Sequence, residues 1–141
     1  MNLQLALVTL HLIVIALGIG LTASNFINTR LALGNSGEFA KGLGLQRHTI
    51  SRFGDGVIGL IWATGLLLLW MRGTAGLTTA FHAKMAFVVA LTVLHGLARA
   101  TGGKMRRSGN TEMLPRLSNI VLLGWLSAVA ALICAVLAFK S

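Results

Sequence analysis

Three observations predict an all-α integral membrane protein folded as a four-helix transmembrane bundle. Hydrophobic residues make up 55% of the 141-residue chain and charged residues only 11%, a balance unlike that of soluble domains. Four apolar runs stand out, Leu3–Ala23, Val57–Met71, Ala80–Ala98 and Ile120–Phe139; three are close to the roughly 20 residues that cross a bilayer. The basic residues are also strongly asymmetric. Arg30, Lys41, Arg47 and Arg52 follow the first run, and Arg99, Lys104, Arg106, Arg107 and Arg116 follow the third; the other side has Arg72 and Lys140. The positive-inside rule then predicts both termini outside.

The elements follow in order. Residues ahead of Leu3 are too few and uncharged for the basic region of a signal peptide, so the first run is expected to remain as a span. Gly34-Asn35-Ser36-Gly37 is a turn signal. Glu38–Ile50 mixes apolar and basic residues, which predicts an amphipathic piece along the inner interface. The second run is short, and Phe53–Gly56 would extend it inward. Thr78 and Thr79 are candidate caps for the third span, and Pro115 suits the first turn of the fourth, where its missing N–H costs nothing. The expected unit is one transmembrane domain over 1–141, with spans near 3–23, 54–71, 79–98 and 116–139. Cys134 is the single cysteine, so an intrachain disulfide is excluded. The net charge of +9 is a topology signal. A nucleic-acid role would need a basic surface on a soluble domain, and the sequence predicts no such domain.

His11, Lys84 and His95 lie well inside the apolar runs. An ionisable group at mid-membrane costs about 3 kcal/mol unless it is paired or bound. Helical spacing assigns each to a face. In the first span Gln4, His11, Gly18 and Asn25 fall seven apart with Thr22 beside them, forming one seam. In the third, Lys84, Val88, Leu91, His95 and Arg99 follow a four-three-four rhythm. Lys84 and His95 are thus separated by about 20° of rotation and about 16 Å of rise. In the fourth, Arg116, Asn119, Leu123, Ser127 and Cys134 share a stripe. Thr22, Asn25, Ser127 and the glycines are read as interhelical glue, His48 as a solvated interfacial residue and His82 as a headgroup-facing one. His11 and Lys84 fall at similar levels towards the outside. His95 falls in the inner half, near Arg52 and Asp55 at the start of the second span and Arg116 and Asn119 at the start of the fourth. Imidazole for a metal and guanidinium groups for anions suit a flat apolar ligand carrying carboxylates.

The run Thr9-Leu10-His11-Leu12-Ile13, with Arg30 after it, resembles the first span of the HemJ and CopD-like group of small bacterial membrane proteins. Phe81-His82-Ala83-Lys84-Met85-Ala86 and Leu94-His95-Gly96-Leu97-Ala98-Arg99 resemble the third span of HemJ-type protoporphyrinogen oxidases. Arg116-Leu117-Ser118-Asn119 is similar to the Arg-x-x-Asn that opens their fourth. The resemblance covers nearly the whole chain. It implies a bacterial inner-membrane protein with haem b held by His11, oxidising protoporphyrinogen IX to protoporphyrin IX. Lys84, His95, Arg30, Arg116 and Asn119 match further positions of the family pattern. Burial makes Lys84 the candidate proton-handling catalytic group, and His95, Arg30, Arg116 and Asn119, with Arg52 by its level and lasting charge, are the candidate cofactor- or substrate-binding residues. The implied partners are the lipid bilayer, a porphyrin or haem, and either a second copy or an electron-accepting membrane protein. The chain departs from the HemJ pattern in having Ile120 and Val121 where an acidic residue and a proline follow the Asn, Gly18-Ile19-Gly20 in place of an aromatic-rich end, and no tyrosine.

Two other classes compete. A small transporter needs a membrane-embedded carboxylate, for which Asp55 is the candidate; a copper-handling protein would cluster Met and His ligands, whereas Met1, Met71, Met85, Met105 and Met113 are scattered. A non-catalytic subunit of a larger membrane complex would leave His11 and Lys84 unexplained.

Overall fold

The computed structural model describes residues 2–73 and 79–138. Four helices account for nearly all of them: α1 (Leu3–Leu33), α2 (Gly37–Arg72), α3 (Thr79–Ser108) and α4 (Leu114–Ala138). All four are long and apolar enough to cross a membrane. At 1.5 Å per residue, the 36 residues of α2 reach about 54 Å, against a hydrocarbon core of about 30 Å. The helices therefore run past the apolar stretches. The segment Glu38–Ile50, expected as a separate interfacial piece, is instead the first part of α2. No proline interrupts it, and one continuous helix keeps every backbone group satisfied where it enters the apolar core.

The turn between α1 and α2 falls on the predicted glycines. The Gly34 N–H donates to the Leu31 carbonyl at 3.2 Å, and Asn35 Nδ2 donates to the same oxygen at 2.7 Å. Gly37 takes φ +68°, a left-handed conformation that a side chain would strain. Pro115 is the second residue of α4, within the first turn. Thr79 begins α3; the alternative cap, Thr78, lies outside the described residues, as does Lys140.

α1 and α2 form one antiparallel hairpin, α3 and α4 another, and α1 packs against α4 to join them; α2 meets α3 far more sparingly. Both interhelical turns, after α1 and after α3, lie at one end, with the nine basic residues. The start of α1 and the end of α4 lie at the other. Leucine and isoleucine side chains such as Leu17, Leu60, Leu66, Leu123 and Ile133 point outwards and stay exposed, as a lipid-facing surface requires. Contact between helices is left to small residues. An added Cβ at Gly18 would meet Val57 at 3.3 Å, and Gly124 backs onto Leu94 and Leu91.

Two apolar clusters result. One, near the basic end, joins Ala32, Leu43, Ala98, Met105, Leu114, Leu117 and Val121. The other joins Val14, Ile61, Val88 and Ala131 in the opposite half. Between α1 and α4, Phe26 stacks on Trp125 with ring planes 5° apart.

The face of α4 differs from the polar stripe drawn on the sequence. Arg116, Asn119 and Leu123 are exposed, and the buried side carries Leu117, Ser118, Val121, Gly124, Ala128, Ala131 and Ala135. Close approach to α1 and α3 needs the small residues inside, and that need overrides the polar stripe.

Candidate functional site

His11 is buried, 6% exposed, at the meeting of α1 and α2. Its Nδ1 lies 2.6 Å from Thr64 Oγ1. The threonine hydroxyl in turn donates to the Leu60 carbonyl at 2.6 Å. With that proton committed, Thr64 Oγ1 accepts from Nδ1–H, and the imidazole is held as the tautomer whose Nε2 carries a lone pair. Nε2 is buried and has no hydrogen-bond partner among the described residues. The ring is seated on Gly65, where a Cβ would approach His11 Cε1 to 3.4 Å.

Lys84 comes to the same place from α3. A cavity of about 100 Å³ is lined by His11, Leu12 and Ile15 of α1, Gly65, Leu68 and Arg72 of α2, Phe81 and Lys84 of α3, and Ala135 of α4. All four helices contribute. Lys84 lies within electrostatic reach of both His11 and Arg72. The two residues singled out from the sequence therefore share one cavity, in the half of the bundle away from the basic turns.

His95 occupies a second, distinct site nearer the basic end. Its Nε2 lies 2.8 Å from Asp55 Oδ1, and Asp55 Oδ2 also accepts from Arg99. Asp55 is about half exposed, at 49%, while the His95 side chain is 15% exposed. The imidazole fits against the bare backbone of Gly54, where a Cβ would stand 2.7 Å from Cε1. Further along the same seam, Trp62 Nε1 donates to Thr92 Oγ1 at 3.1 Å. Polar contacts thus clasp the otherwise thin α2/α3 junction.

The remaining predicted site residues are not gathered around His11. Arg30, Arg52, Arg116 and Asn119 are exposed near the basic end and line neither cavity. Nineteen residues of helix separate Arg30 from His11, about 28 Å, so the two cannot grip opposite edges of one small ligand. Arg52 is within electrostatic reach of His48. Sequence reasoning missed Thr64, Gly65 and Gly54. Their signal was available: Gly54 and Gly65 are eleven apart, hence on nearly one face, opposite the two histidines.

A haem, which the resemblance implies, can be tested against this arrangement. The donor chemistry fits: a neutral imidazole oriented by a hydroxyl, with its other nitrogen unclaimed among the described residues, is suited to holding haem iron. The enclosed space is smaller than the group. About 100 Å³ falls short of the roughly 300–1,000 Å³ that encloses a drug-sized ligand, and Gly65 and Gly18 hold α1 and α2 in close contact. Room beside His11 has to come from the sparsely packed α2/α3 seam. Among the described residues, no three His, Cys, Asp or Glu side chains come together as a metal cluster.

Comparison with protein-family models, with curated proteins and with solved structures returns no match. What stands is a small, all-helical, four-span membrane protein whose architecture is consistent with the HemJ and CopD-like fold.

Proposed function

We propose that this chain is a haem b-binding membrane protein of the HemJ type, with His11 as an axial ligand, and that it oxidises protoporphyrinogen IX. One observation carries the reading: His11 Nε2 is buried, has no hydrogen-bond partner among the described residues, and keeps its lone pair because Nδ1 is committed to Thr64. A bound haem supplies one-electron redox chemistry. The residues of this chain have other tasks. Thr64 orients His11, and Leu12, Ile15, Leu68 and Phe81 keep water from the ring. Lys84, on the wall of the same cavity, is the group placed to take up and release protons. Conversion of a porphyrinogen to a porphyrin removes six hydrogens from carbon and nitrogen, so about six protons and six electrons leave per turnover; a two-electron acceptor of the quinone class, reduced three times, would balance the reaction. The guanidinium groups of Arg30, Arg52 and Arg116 are suited to guiding a carboxylate-bearing substrate at the basic end.

Absorption spectra of the detergent-purified protein test the ligand. Wild type supplied with haem is expected to give a Soret band that His11→Ala loses and Thr64→Val shifts or weakens. No band in haem-supplemented wild type, or an unchanged band in His11→Ala, refutes the assignment. Rescue of a strain lacking its own protoporphyrinogen oxidase tests the chemistry: wild type should rescue, and Lys84→Met should fail while retaining haem.

The small volume beside His11 favours a second reading, in which the His11/Lys84 cavity passes a proton or small cation and the protein is a transporter. A flux assay in haem-free vesicles distinguishes the two.

A further inference from the structure

A second cavity lies away from His11. At the basic end a cleft of about 1,030 Å³ opens between the α1/α2 turn, the first half of α2, the end of α3 and the start of α4. Five of its lining residues are lysine or arginine, against a single acid, Glu112. Two of the cations are already paired. Lys41 binds Glu38 at 2.6 Å, and Arg99 binds Asp55. Glu112 accepts from Asn110 Nδ2 at 3.0 Å. Arg47, Arg106 and Arg107 are left with no ion-pair partner among the described residues.

Arg47 is the telling member. Its Nη1 is buried and has no hydrogen-bond partner among the described residues, and its Nη2 rests 3.8 Å from where a Cβ of Gly44 would be. The guanidinium thus lies back along its own helix, within ordinary contact distance of position 44. A guanidinium nitrogen withdrawn from water without a partner costs more than a surface charge can recover. Arg52, Arg99 and Arg106 all lie within electrostatic reach of His48, one residue along, so positive charge gathers at this end. An anion bound beside them would offset this repulsion and give Arg47 Nη1 a partner. There is room for one, because a Cβ at Gly102 or Gly103 on the cavity wall would meet nothing within 4 Å.

We propose that this cleft is a binding site for a phosphate-bearing anion, with the half-buried Arg47 as its anchor and the exposed Arg106 and Arg107 at its rim. Its level, at the interhelical turns just beyond the apolar stretches, is that of the lipid phosphates. Basic pockets between spans on this side of a membrane suit anionic phospholipid headgroups. Guanidinium matches phosphate oxygens through paired, fork-like hydrogen bonds. The site is separate from the His11 cavity, shares no lining residue with it, and stands whether or not haem binds there.

The test is lipid retention by the full chain, read by native mass spectrometry and by thermal midpoint in nanodiscs. Three conditions separate the source of the phosphate: phosphatidylcholine alone, phosphatidylcholine with phosphatidylglycerol, and phosphatidylcholine with inorganic phosphate. A rise in midpoint and a retained lipid in the second condition only identify a headgroup; a rise with inorganic phosphate identifies a free anion. Arg47→Gln and Arg106→Gln should each weaken binding about fivefold. Gly103→Leu should weaken it by filling the cleft with charge unchanged, and leucine is a better helix former than glycine, so folding is preserved. Lys104→Gln, which removes an exposed charge outside the cleft, should have no effect. Binding in none of the conditions overturns the proposal. So does binding that the arginine variants and Gly103→Leu leave intact, or that Lys104→Gln lowers equally.

Discussion

Alanine at position 54 would place a methyl carbon 2.7 Å from His95 Cε1 and 3.5 Å from each ring nitrogen, inside the usual carbon contact distance of about 3.5–4.0 Å. The ring is not free to step aside, because its Nε2 is held 2.8 Å from Asp55 on the helix that carries the new methyl. Either α2 and α3 separate or the imidazole leaves Asp55. Overpacking of this kind costs about 1–3 kcal/mol. Exchange of glycine for alanine in a helix returns about 0.5–1 kcal/mol. Asp55 is half exposed, so loss of its contact adds only modestly. The expected net effect of Gly54→Ala is a destabilisation of about 1–2 kcal/mol, read as the unfolding midpoint in detergent micelles. Gly56→Ala is the control: an added Cβ there meets nothing within 4 Å, and the variant should match or exceed wild type. The double variant Gly54→Ala/His95→Ala should recover about 1 kcal/mol relative to additivity, since the shortened side chain vacates the space. A Gly54→Ala protein as stable as wild type, or a strictly additive double variant, would refute this account of the α2/α3 junction.

Two further outcomes are expected. Trp62→Phe removes the indole donor to Thr92 and should cost about 0.6 kcal/mol, the average for an interhelical hydrogen bond in a membrane; a loss no larger in Trp62→Phe/Thr92→Val than in either single variant would verify the pairing, and two additive losses would exclude it. Reporter fusions after Lys104 should read as cytoplasmic and fusions at the C-terminus as external, following the asymmetry of basic residues; the reverse pattern would invert the bundle.

The sequence by itself determined the parts of this protein that depend on composition, length and period. Long apolar runs must be helical in a bilayer because no other single-segment structure satisfies the backbone, so four spans could be counted from the chain. The 3.6-residue period placed His11, Gly18 and Asn25 on one seam and turned Lys84 inwards with Val88 and Leu91, and the bundle has these residues where the period puts them. Tertiary structure decided what local period cannot carry. The rotation of α4 was settled by which face lets helices approach: Gly124, Ala128, Ala131 and Ala135 went inside, and Arg116 and Asn119 were turned away from the core. The pairing of His95 with Asp55, 40 residues apart, depends on α3 lying against a bare glycine of α2. The basic cleft likewise exists only because α2 begins at Gly37 rather than at the membrane surface. A helix that projects beyond the bilayer can fold part of an arginine such as Arg47 under its neighbours, and neither its charge nor its spacing announces a burial that is created where four helices meet.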